Sequence, residues 1–290
     1  MPFPAVYAPP RRGLSFELFP PKRSEDLLAL EGTVRELMRF DPDYFTCTYG
    51  AGGSSQDRTL EVISRVKQIT DRPVASHLTC VAASTEQLCS YLERASQHGV
   101  DLIVALRGDP PRGEAEFRPV EGGLRYANEL VSLIRDRYPH FGVAVAGYPE
   151  THQEAPSPEV DLDNLKRKVD AGADVVITQL FYDNEDFFRF RERAQKRGIT
   201  IPIIPGLLPI TNLPQAQRIT SMCKAALPQS LVSRLEEDDS PDWQFQVGVQ
   251  HAREQTRELL REGVEGLHLY VLNRSQAAAA LLEGLELAYA

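Results

Sequence analysis

Short apolar runs alternate along the chain with longer stretches whose apolar positions recur every three or four residues. Residues 14–19 form the first run, which carries Glu17 and is stopped by Pro20-Pro21. Behind it, Leu27, Leu28, Leu30, Val34, Leu37 and Met38 fall at helical spacing, with Ser24 placed to cap. The same reading predicts strands over 44–49, 74–80, 102–106, 143–148, 174–180, 201–205 and 266–272. Helices are predicted over 55–70, 84–99, 124–138, 161–171 and 185–197, with Ser84 as a cap. After Leu213 the order loosens. Two helical patches flank the acidic stretch 236–241, which reads as a surface loop, and a long helix over 245–262 follows. An alanine- and leucine-rich helix comes after the last strand.

About eight βα units result, the number that closes a barrel. Continuous apolar strands fit a parallel sheet buried on both faces. An open doubly wound sheet is the competing architecture, but no GxGxxG follows any predicted strand. The expected fold is α/β: a single (β/α)8 TIM barrel over residues 1–290 with extra helices before the last strand.

Composition narrows the partners. A hydrophobic content of 42% over 290 residues supports a sizeable core. The net charge of −9 argues against nucleic acid or an anionic membrane, so any anionic ligand needs local cations or helix N-termini. No apolar run approaches the roughly 18 residues of a membrane span, and no signal peptide is recognisable, so a cytoplasmic location is expected. Cys47, Cys80, Cys89 and Cys223 are scattered without a CxxC pair, which suggests reduced thiols and neither a disulfide frame nor a zinc site.

Polar residues gather where the predicted strands end, which in a barrel is the catalytic rim. They are Glu17, Thr48 and Tyr49, His77 and Thr79, Arg107-Gly108-Asp109, Tyr148 with His152, Gln179, and Asn273-Arg274. Each alone has an ordinary explanation. Glu17 could pair with Arg107, His77 could be a hydrogen-bonded core histidine, Gln179 could satisfy backbone groups, and Tyr148 could simply pack. Their repetition at seven of the predicted strands reads as a pocket. Glu17 lies inside an apolar run, where desolvation should raise its pKa and suit it to general-acid work. Asp109, with Arg107 beside it, should stay ionised. A metal site built from Glu17, His77 and Asp109 is the alternative, although no HxH occurs, and no metal is expected. A Schiff-base lysine is not offered, since Lys22 and Lys168 fall outside the strands. Asn164, Arg167 and Lys168 share one helix face, either a solvated basic stripe or a seat for a diphosphate.

An ordered series of motifs resembles the methylenetetrahydrofolate reductase family: SFELFPPK, TYGAGG, HLTC, ALRGDPP, GYPETH, LKRKVDAGAD, ITQLFYD, PGLLPITN and YVLNR. They span nearly the whole chain, one or two per strand, and suggest the short bacterial type with the catalytic barrel only. The resemblance implies non-covalent FAD, contacted by Thr48, Tyr49, Ala51, His77, Arg107, Gly108, Asp109, Tyr126, Ala127, Tyr148, His152, Asp161, Asn164, Arg167 and Lys168. It implies catalytic roles for Glu17, the general acid, and Asp109, near the flavin and pterin rings. Folate contacts are implied for Glu17, Asp109, Gln179, Leu213 and Arg274. The implied reaction is a ping-pong reduction of 5,10-methylenetetrahydrofolate to 5-methyltetrahydrofolate with NADH or NADPH, feeding methionine synthesis. A homo-oligomer acting on small molecules is expected. The alternatives are a metal-dependent barrel hydrolase or lyase, and a barrel that keeps flavin as a binding module without turnover. Leu213 departs from the pattern, because many bacterial relatives carry an aromatic residue there.

Overall fold

The protein is described by a computed structural model covering residues 3–21, 23–48, 56–110 and 117–288. Among these residues the chain alternates strand and helix: β1 (Gly13–Leu18), α1 (Leu27–Leu37), β2 (Tyr44–Cys47), α2 (Gln56–Ile69), β3 (Val74–Thr79), α3 (Thr85–Gln97), β4 (Leu102–Leu106) and α4 (Ala127–Arg137). The series continues with β5 (Gly142–Gly147), α5 (Pro158–Asp170), β6 (Val175–Thr178), α6 (Asn184–Lys196), β7 (Ile203–Ile204) and β8 (Gly206–Leu207). Three helices come next, α7 (Leu213–Cys223), α8 (Gln229–Leu235) and α9 (Pro241–Arg261), before β9 (Gly266–Tyr270) and α10 (Gln276–Leu282).

All strand pairs are parallel, in the order β7-β6-β5-β4-β3-β2-β1-β9-β8. Only Pro205 separates β7 from β8. Proline has no N–H to give the ladder, so the strand breaks there: its first half pairs with β6 and its second with β9. The Pro205 carbonyl still accepts from the His268 N–H at 3.0 Å. The nine strands therefore occupy the eight positions of a (β/α)8 barrel; α9 packs between α6 and α10 as the seventh barrel helix, and α7 and α8 are the extra helices expected before the last strand.

Alternation sorts each strand. Leu14, Phe16 and Leu18 face outward into the main core under the helices, while Ser15 and Glu17 face the barrel interior. The register carries this around the ring, with Ser15 opposite Tyr44 and His268, and Glu17 opposite Thr46 and Tyr270.

Helix starts follow their caps. Ser84 and Gln87 form the expected capping box. Ser24 does not begin an α-helix: a 3₁₀ turn covers Ser24–Asp26, and Asp26 occupies the N-cap of α1 without a side-chain bond to the helix backbone. The fifth helix starts earlier than its apolar pattern, because Ser157 accepts from Val160 N and Pro158 takes the first turn. Ser240 likewise starts α9 at Pro241 by accepting from Trp243 N. Among the described residues no helix is long and apolar enough to cross a membrane.

Candidate active site

Glu17 is 6% exposed inside the upper barrel. Its Oε2 lies 3.3 Å from His77 Nε2 and 3.7 Å from His268 Nε2. On its far side His268 meets Ser15, with Nδ1 and Oγ 2.8 Å apart. Tyr270 packs edge-on against the His268 ring at 5.0 Å, and its hydroxyl donates to Thr178 O at 2.8 Å. Burial lowers the His77 pKa below its ordinary value, which Glu17 opposes and His268 reinforces, so this imidazole is neutral near pH 7. The buried hydroxyls of Thr46 and Thr79 have no hydrogen-bond partner among the described residues.

Sequence leaves open a pair between Glu17 and Arg107, and the structure does not form it. Arg107 instead grips Glu154 with two hydrogen bonds of 2.6 Å. Asp109 is exposed and makes no hydrogen bond or ion pair among the described residues. Glu17, His77 and Asp109 therefore do not converge as a ligand set, and no three His, Cys, Asp or Glu side chains do so among the described residues.

A second polar cluster lies at the ends of β4 and β5. The Tyr148 and His152 rings meet edge-on at 4.6 Å. Asp161 Oδ2 accepts from His152 N at 3.0 Å. Lys168 reaches in from α5 to donate to Ala146 O at 2.6 Å, with its amine 6.0 Å from the Tyr148 ring centre. Burial pulls the Lys168 pKa down to about 8, partly offset by Asp161. Arg167 and Asn164 pair with each other at 2.6 Å on the exposed helix face. Gly108 has φ +88°, and a Cβ there would lie 2.8 Å from Val81 Cγ1 and 3.0 Å from Thr79 Cβ, so both the backbone conformation and the close packing after β4 require glycine. Thr48 is half-buried, Ala127 is buried at the start of α4, and Tyr126 before it is 49% exposed. Tyr49 and Ala51 lie outside the described residues.

Beside these clusters is a cavity of about 380 Å³, lined in part by Tyr182, Leu208, Thr211, Asn212, Tyr270 and Arg274. The Tyr182 hydroxyl is buried without a partner among the described residues. Arg274 is exposed, and its guanidinium has no partner there either. Gln179 turns its amide oxygen to Leu180 N at 2.9 Å. Leu213 is 7% exposed and packs in an apolar cluster with Leu180, Tyr182, Leu208 and Val247.

Sequence reasoning missed Ser15, His268, Tyr270 and Glu154. The first three carried a usable signal: His268 and Tyr270 alternate in the last strand as Ser15 and Glu17 do in the first. Glu154 carried none, because its role depends on where a loop lands.

The model of the methylenetetrahydrofolate reductase family matches residues 8–286, a span that includes every element of the barrel. The chain belongs to the methylenetetrahydrofolate reductase family.

Among relatives, the Escherichia coli (strain K12) protein named 5,10-methylenetetrahydrofolate reductase is 38% identical over 273 residues, covering 94% of this chain and 90% of its own. A Zea mays protein named methylenetetrahydrofolate reductase (NADH) 1 is 39% identical over 288 residues. That match covers 96% of this chain but 49% of the plant protein, so the chain spans about half the length of its plant relatives. A solved structure shares the fold with a TM-score of 0.67 at 15% identity, covering 96% of this chain and 95% of the other. It is described as an uncharacterized protein from Clostridium thermocellum that binds two copies of 5-methyl-5,6,7,8-tetrahydrofolic acid. Membership of this reductase family decides against the metallohydrolase reading.

Proposed function

We propose that residues 1–290 form one catalytic domain that reduces 5,10-methylenetetrahydrofolate to 5-methyltetrahydrofolate, using NADH or NADPH and a non-covalent FAD, as a homo-oligomer in the cytoplasm. The observation that carries the reading is the buried Glu17 carboxyl group flanked by two imidazoles in a barrel of this family. A barrel kept only to bind flavin has no need of such a group.

The residues at the mouth fit FAD. The unpartnered Thr79 hydroxyl and the cations Arg107, Arg167 and Lys168 together offer a donor and charge for a diphosphate. Thr48, Tyr49, Ala51, His77, Asp109, Tyr126, Ala127, Tyr148, His152, Asp161 and Asn164 complete the proposed cofactor set. Bound FAD would supply hydride relay between the nicotinamide cofactor and folate.

The protein contributes position and a proton. Glu17 gives its proton as the N10 bond of methylenetetrahydrofolate opens, and the resulting 5-iminium carbon takes the hydride. His268, fixed by Ser15, and His77, kept neutral by burial, hold the carboxyl in place. Asp109 faces solvent, free to meet the pterin. Arg274 and Gln179 contact the rest of the folate, and Leu213 flanks that site. The test is the absorption spectrum of purified protein. A flavin band that bleaches on anaerobic NADH addition and returns with methylenetetrahydrofolate supports the proposal; a colourless protein that turns over folate without flavin overturns the cofactor half of it.

A further inference from the structure

Arg107, at the end of β4, is held on three sides. Its Nη1 and Nη2 donate to the two oxygens of Glu154, each at 2.6 Å, and its Nε donates to Gly108 O at 3.2 Å. The guanidinium also lies 5.3 Å from the centre of the Phe117 ring. A planar fork gripped at both tips cannot sweep the space that a free arginine explores. Glu154 comes from the loop between β5 and α5, so the pair ties the ends of two neighbouring strands together at the mouth.

The same residue reaches a second group. The backbone N–H of Glu154 donates to His152 Nδ1 at 3.2 Å. Burial, and after it the Arg107 charge, lowers the His152 pKa, so the ring is neutral near pH 7. With Nδ1 accepting, the ring proton sits on Nε2. One loop residue thus presets two donors, the outer N–H groups of Arg107 and the Nε2–H of His152.

We infer that Glu154 is a positioning residue for cofactor retention, acting through Arg107. The inference rests on the FAD reading above. A carboxylate beside an anion-binding cation also weakens the local positive field, and if that effect won, removing Glu154 would tighten binding. Geometry decides for positioning. The pair is bidentate, and the Arg107 side chain is only 21% exposed, whereas the carboxylate at 41% is screened by solvent and salt.

The test titrates FAD into apoprotein and reads quenching of flavin fluorescence for wild type, E154Q, E154A, R107A and the R107A/E154A pair. E154A is expected to raise the dissociation constant about tenfold, the scale of a lost charge-assisted contact. E154Q, which keeps one neutral acceptor, should recover part of that loss. The double variant should bind no more weakly than R107A alone, because a residue acting through Arg107 has nothing left to act on. Thermal melting of each apoprotein shows which variants fold, and E154Q carries the comparison should E154A not fold. Unchanged or tighter binding in the Glu154 variants, or losses that add in the double variant, would overturn the inference. Wild-type apoprotein that takes up no FAD would overturn the cofactor reading instead.

Discussion

In the lower half of the barrel, Phe3, Tyr7 and Tyr44 plug the interior. Phe3 and Tyr44 meet edge-on at 5.2 Å, and the hydroxyls of Tyr7 and Tyr44 lie 2.5 Å apart. Leu102, Ala144, Val175, Ile177 and Ile204 fill the space around them. Gly13 and Gly266 are glycines because a Cβ at either would sit 2.6 or 2.8 Å from the Tyr7 ring. In the upper half the same strands present Glu17, His77, His268 and two threonine hydroxyls without partners among the described residues. Both halves obey the same inward alternation. They differ in whether each buried polar group finds a partner within the protein: the hydroxyls below do, while above, donors and acceptors are left for something else. The plug closes on itself through packing, while the upper half keeps polar groups available for chemistry.

The sharpest break in this comparison is Glu17→Gln. It removes the proposed proton donor from the upper half while keeping its shape, and general acid catalysis contributes about 10²–10⁴-fold. Flavin reoxidation by methylenetetrahydrofolate should slow within that range, while reduction by NADH proceeds near the wild-type rate. Stopped-flow absorbance times each half separately. Equal slowing of both would mean that Glu17 tunes the flavin or the fold and does not supply the proton.

Tyr44→Ala probes the other half. It opens a cavity in the plug and orphans the Tyr7 hydroxyl, a loss of about 3–5 kcal/mol by analogy with buried aromatic truncations. Urea unfolding measures it, and the ratio of the two half-reaction rates should not move. Tyr44→Phe, which removes only the hydroxyl, should cost about 1 kcal/mol. A change in that ratio would show that the two halves are coupled.

Lys168 gives a smaller, pH-dependent effect. Its buried amine loses charge as pH rises through about 8, so FAD retention should weaken between about pH 7 and 9. Apoprotein stability moves the opposite way. The unfolded chain keeps this proton up to its ordinary pKa of 10.5, so the desolvation cost is relieved between about 8 and 10.5 and stability rises there. Lys168→Arg stays charged and should flatten the first trend. Wild-type retention that does not change with pH would show that this amine does not serve the diphosphate.

Sequence alone determined the barrel and the position of nearly every strand and helix, and it named candidate residues at the strand ends. Apolar periodicity and chain order are local properties, and local properties are legible along a chain. The break of the seventh strand at Pro205 was legible in principle, since proline cannot serve both neighbours in a ladder. Pairing was not legible. Arg107 stands beside Asp109 in sequence but bonds Glu154, 47 positions away, because the β5–α5 loop folds back over the end of β4. Glu17 and His268 are 251 positions apart and come within 3.7 Å only when the last strand closes on the first. Leu213 follows the PGLLPITN motif, yet its side chain joins an apolar cluster that α7, α8 and α9 assemble. Sequence named the chemical groups at the rim. Barrel closure and loop placement decided which of them share a proton, a charge or an apolar wall, because those contacts depend on distances that no local pattern encodes.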